Sequence, residues 1–84
     1  MEVMEFAIMR GAPLYNAGHH GACAAVYETA AMALLQMGED LPDMAMRQLR
    51  DSFRSSQRTH DMSERAWMLR DAFDETMRQM RAGM

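Results

Sequence analysis

Several things are scarce in this 84-residue chain, and each scarcity excludes something. Lysine is absent, and the nine basic side chains are all arginine. One cysteine, Cys23, cannot form an internal disulfide, so any support beyond packing has to come from a metal or a partner chain. A lone thiol also fits a reducing compartment. Beta-branched residues are confined to Val3, Ile8, Val26 and a few threonines, and no strand-like alternation occurs, which argues against a sheet. The longest apolar stretch, 22–35, is interrupted by Glu28 and Thr29 and is too short to span a bilayer. The first residues, MEVMEFAIM, begin acidic and lead into no clear apolar region, so no secretory leader is expected. A net charge of -3 supplies no field for nucleic acid or an anionic membrane.

What the chain does have is alanine, leucine, arginine, glutamate and 12 methionines, an all-helical composition. The length allows one domain with a small core, 1–38 and 40–84 forming its two halves. Charge is uneven between them. Positions 1–40 hold five acids against Arg10 alone, and positions 41–84 hold seven acids and eight arginines.

Periodicity predicts four helices. The first runs from about Glu2 to Tyr15, with Val3, Ala7, Met9 and Leu14 as its apolar surface. Pro13 falls inside that pattern, where it must kink the helix or end it near Gly11. Gly18 is a natural break. The second helix, about His20 to Met37, repeats Cys23, Val26, Tyr27, Ala30, Leu34 and Met37 at three- and four-residue steps, and Gly38 terminates it. The third opens at Asp40 or Leu41 with Pro42 in its first turn. It carries the stripe Met46, Leu49 and Phe53 and fades through 55–60. The fourth starts at a capping box, Asp61 with Glu64. Its stripe is Ala66, Leu69, Phe73, Met77 and Met80, with Trp67 at the boundary and Asp74 and Glu75 both placed to pair with Arg78.

Gly11, Gly18, Cys23, Tyr27 and Ala30 together resemble a tetratricopeptide repeat, a helical hairpin of about 34 residues with glycines, small residues and aromatics at fixed offsets. The resemblance covers about 4–37. It implies Gly11 at a close helix crossing, Gly18 at the turn, Cys23 and Ala30 where the hairpin is tightest, and Tyr27 filling the space between. The chain departs from that pattern at Leu14, which is apolar where the pattern has an aromatic. It departs again at Arg10, at Pro13, and at Leu35, where the family closes with proline and this chain waits until Pro42. Positions 42–82 read as a second helix pair without the signature. Repeat arrays need about three units to be stable, so two pairs imply a closed four-helix bundle or self-association. The fold expected is therefore all-α, four helices as two antiparallel hairpins.

Three clusters carry possible chemistry. His19 and His20 lie four and three residues before Cys23, a spacing at which imidazole and thiolate share a Zn or Cu ion. The same spacing would let a histidine activate the thiol, but no third orienting residue is recognisable and no catalytic site is expected. The plainer reading makes Cys23 a small core residue and His19 an exposed turn residue. The methionine pairs Met1/Met4, Met77/Met80 and Met80/Met84 have helical spacing that suits Cu(I), although several lie on core stripes. Met32, Met44, Met62 and Met68 fall off those stripes and, with Trp67, form a candidate partner-binding face. Arg47, Arg50, Arg54 and Arg58 share one face of the third helix, a solvated face by default and a weak case for nucleic acid, with docking to the acidic half of another copy as a further use. The leading expectation is a non-enzymatic interaction module that self-associates as a homodimer through its methionine-rich apolar face. The alternative is a Cu or Zn protein.

Overall fold

A computed structural model describes residues 2–37 and 41–82. Four helices account for nearly all of them: α1 (Glu2–Asn16), α2 (His20–Met37), α3 (Asp43–Gln57) and α4 (Met62–Ala82). Among the described residues there is no strand, and no helix is long and apolar enough to cross a membrane. Gly38, Asp40, Met1 and Met84 lie outside the described residues.

The helix ends follow from local chemistry. Gly18 adopts φ +88, the left-handed region that glycine enters without steric cost. There the His19 amide donates to the Leu14 carbonyl at 2.8 Å and the Gly18 amide to the Tyr15 carbonyl at 2.9 Å. This is a Schellman closure, and it turns the chain into α2 within three residues. At α4 the Glu64 amide donates to the Asp61 carboxylate at 3.1 Å, the N-cap half of the expected capping box. Pro13 neither ends nor breaks α1, which runs on to Asn16. The carbonyl deprived of an amide partner belongs to Met9, which is 66% exposed, so water can satisfy it. Pro42 stands at the N-cap of α3 with ψ 149, before the first turn rather than inside it. The residue ahead of a proline is pushed toward extended backbone, and Leu41 accordingly lies outside the helix with its side chain buried.

Packing places α2 at the centre. It lies against α1 on one side and α4 on the other, α3 closes on α4 and touches α2, and α1 reaches α4 only marginally. The two hairpins, α1/α2 and α3/α4, thus join through α2 and α4. Tyr27 is the hinge pin of this arrangement. A Cβ at Gly11 would sit 2.5 Å from Tyr27 Cε1, so the Tyr27 ring occupies the space that glycine leaves. The same ring meets Phe73 of α4 edge-on at 5.7 Å. Cys23, Ala24, Tyr27, Ala30, Ala31 and Leu34 are all buried along α2.

Several expectations need correction. The buried seam of α1 is Met4, Ala7, Gly11 and the half-buried Leu14, while Val3 (38%) and Met9 (66%) face outward. Met37, expected on the buried face of α2, is 69% exposed at its C-terminal end. The core also takes in Ala45, Ser56, Ala72 and Thr76, which the stripes did not include. Ser56 and Thr76 bury their hydroxyls by donating to the carbonyls of Phe53 and Ala72. Asp74 pairs with Arg70 at 3.4 Å, leaving only Glu75 to pair with Arg78.

Candidate functional site

The histidine–cysteine corner folds as packing. His19 is exposed, and its carbonyl accepts the Cys23 amide at 3.0 Å, starting α2. The His20 ring stacks on Tyr15 with centroids 4.2 Å apart. Tyr15 in turn hydrogen-bonds Ser63, and its hydroxyl accepts from Trp67 Nε1 at 2.8 Å. His20, Tyr15 and Trp67 therefore seal the turn end of the first hairpin onto α4. Cys23 points inward and is fully buried, so it shares no open face with His19. His60 is exposed. Among the described residues no group of three or more His, Cys, Asp or Glu side chains is gathered as a metal ion requires.

Behind the corner lies a cavity of about 60 Å³, walled by Cys23, Tyr27, Arg70, Trp67 and their neighbours. That is room for one or two waters. Burial pushes the Cys23 thiol above its ordinary range, against the opposing pull of its hydrogen bond to Tyr27 and the Arg70 charge. Burial, reinforced by the Cys23 contact, likewise raises Tyr27. A raised thiol is a poor nucleophile at neutral pH. The linkage sign follows directly: the unfolded chain releases these protons at lower pH than the native chain, so stability falls as pH climbs. Urea midpoints are expected to decline above about pH 8.5, the ordinary thiol range, with Cys23→Ala removing the earliest part of the decline. A midpoint unchanged from pH 7 to 10 would contradict this account of the corner.

The expected partner-binding side chains are scattered over three helices. Met32 on α2 is 50% exposed, Met44 on α3 75%, and Met62 and Trp67 on α4 38% and 51%. Met68 is half-buried, its sulfur accepting from the Thr59 hydroxyl at 3.4 Å. Arg47, Arg50 and Arg54 are exposed along α3, and Arg58 is exposed at its C-cap.

The larger concavity is elsewhere. An open groove of about 670 Å³ runs between α1 and α2, lined by Val3, Phe6 and Ala7 on one wall and Ala25, Val26, Thr29, Ala30 and Ala33 on the other. Among the described residues no ionisable side chain lines it. Phe6 stands 56% exposed on its rim, with the Arg10 guanidinium 5.0 Å from the ring centroid. The adjoining outer face of α2 is uncharged as well: its exposed residues are Gly21, Ala22, Ala25, Thr29, Met32, Gln36 and Met37. The one carboxylate in α2, Glu28, turns the other way, to Gln57 at 3.1 Å and Arg65 at 3.5 Å. Phe6 and this groove lie outside the helical stripes read from the sequence. A usable signal was present in the sequence. A surface helix ordinarily carries a charged face, and 20–37 contains a single carboxylate and no arginine.

Fold and surface together define a small all-α domain, two packed helical hairpins with a concave outer face between α1 and α2 whose described lining is uncharged. No protein-family model, curated protein or solved structure matches this chain.

Proposed function

We propose that the protein is a small, non-enzymatic helical interaction module that associates with a second copy of itself through exposed apolar surface. The observation that carries this reading is the uncharged groove between α1 and α2, open to solvent in a chain with a small core. Exposed apolar surface that is contiguous over several hundred Å² marks sites of association, and the groove together with the adjoining exposed face of α2 extends across both helices. A catalytic reading gains little support, because the only pocket among those described that holds a thiol and a cation has room for about two waters.

Magnitudes set the expected strength. Burying a half-exposed large side chain contributes about 1 kcal/mol. Association costs roughly 4–15 kcal/mol in lost freedom. Several side chains must therefore act together, and a reversible dimer that dissociates on dilution is the expected form. Native mass spectrometry and light scattering over a dilution series check this, and the melting temperature should rise with concentration. A monomer at every concentration, with a concentration-independent melting temperature, sinks the proposal.

A further inference from the structure

The geometry points to one specific dimer, in which α1 of each protomer lies over α2 of the other about a two-fold axis parallel to the helices, with Phe6 set into the partner's alanine–threonine wall. This rests on the self-association reading and adds where and how the copies meet.

Shape gives the first argument. Phe6 and Val3 project from α1, while the neighbouring wall on α2 is low, built from Ala25, Thr29 and Ala33. The knob and the hollow lie side by side on one face, and neither has a complement among the described residues. Rotation by 180° about an axis running along the groove carries α1 over α2 and reverses nothing along the helix direction. Each α1 then runs antiparallel to the α2 it covers, and each knob meets a hollow. Such a contact is isologous and closes at two copies. Two hairpins stacked in this way make a four-helix layer pair of ordinary antiparallel packing.

Charge gives the second argument. Pressing two like faces together strands charge wherever an ionisable group sits in the contact. Here the described groove lining has none and the outward residues of α2 have none, while α1 brings two exposed ionisable side chains of opposite sign, Glu5 and Arg10. Arg10, at the rim beside Phe6, can keep its guanidinium in water while its stem packs. The other exposed faces lack this property. The outer face of α3 carries four arginines with Asp43 and Asp51, so two copies of it would repel.

Extent gives the third. Helices of 15 and 18 residues present a face about 25 Å long and about 20 Å wide, roughly 500 Å² in projection. Corrugated by side chains, it approaches the roughly 800 Å² per partner of a standard interface only if both helices engage. A single foreign helix, about 10 Å across, would cover about half of it. A second copy brings two helices at the matching separation, and symmetry uses each contact twice.

The test combines the wild-type chain with three variants under sedimentation equilibrium and native mass spectrometry, with circular dichroism as the folding check. Phe6→Glu acts on the knob and Thr29→Arg on the hollow. Both residues are exposed, so each variant keeps the wild-type melting profile at low concentration. Each should raise the dimer Kd at least about 100-fold, since every substitution buries two unpaired charges per dimer. Met44→Glu, on the exposed start of α3, should leave Kd within about twofold. A dimer that survives both Phe6→Glu and Thr29→Arg overturns this arrangement while leaving self-association standing. A wild-type monomer at all concentrations overturns both. A monomer stabilised only when an amphipathic helical peptide is added assigns the groove to a foreign helix and overturns the second-copy assignment.

Discussion

Replacing Phe73 with alanine is expected to lower the unfolding free energy by about 3–5 kcal/mol, the range for truncating a fully buried aromatic. Phe73 is 0% exposed and is the largest fully buried side chain among the described residues. It lies on α4 and meets the edge of Tyr27 on α2, so it bridges the two hairpins through the contact that joins them. The surrounding backbone is helical on every side and cannot collapse far into the void. An 84-residue domain has roughly 4–13 kcal/mol in total. The substitution therefore removes between a quarter and all of the stability. A thermal melt should shift down by roughly 12–40 °C, at about 4–8 °C per kcal/mol for a chain of this size. Phe73→Leu, which retains most of the volume, should cost less than half as much. A loss below about 1 kcal/mol for alanine would mean that the hairpins are not held together through this side chain.

The second large effect is expected at Gly11. Leucine there should destabilise the chain by about 3 kcal/mol, the upper end for overpacking a core. On helix propensity alone the sign would be opposite, because leucine is favoured over glycine by close to 1 kcal/mol in a helix interior. Geometry decides between the two effects. Even a Cβ at position 11 falls 2.5 Å from Tyr27 Cε1 and 3.0 Å from Cζ. The Tyr27 ring is 2% exposed and backed by Phe73, so it has no free direction in which to yield. Displacing it separates α1 from α2 and loosens α2 from α4 in one step. A denaturant midpoint that rises in Gly11→Leu would show that the α1/α2 crossing is looser than this distance requires.

These two substitutions mark what was readable in advance. Tyr27 and Phe73 stood out by helical spacing, Gly18 as a break, and Gly11 through the tetratricopeptide resemblance, and each has a geometric role where it was expected. The reason is that their requirements are local. A tight crossing needs a missing Cβ, a left-handed turn needs glycine, and a buried stripe repeats every three or four residues. Asp61 at the start of α4 belongs with them, since a cap is settled within one turn. The candidate site was less accessible. The corner at His19, His20 and Cys23 drew attention because its residue types are reactive, yet reactivity depends on direction. His20 turns to Tyr15 and Cys23 turns inward. Phe6 drew none, because a lone aromatic near the start of a helix has no pattern of its own.

That this chain is helical, that it turns at Gly18 and that a helix starts at Asp61 were legible in the residues alone, because backbone preference and capping act within a few residues. Which way each apolar face turned depended on how the helices pack. On α1 packing chose Met4 over Val3 and Met9, and on α2 it left Met37 and the alanine–threonine side uncovered. A helix apolar around most of its circumference has no intrinsic inside. Its buried side is the one where neighbours happen to pack: α1, α4 and part of α3 lie against α2, and no other described element covers its alanine–threonine side.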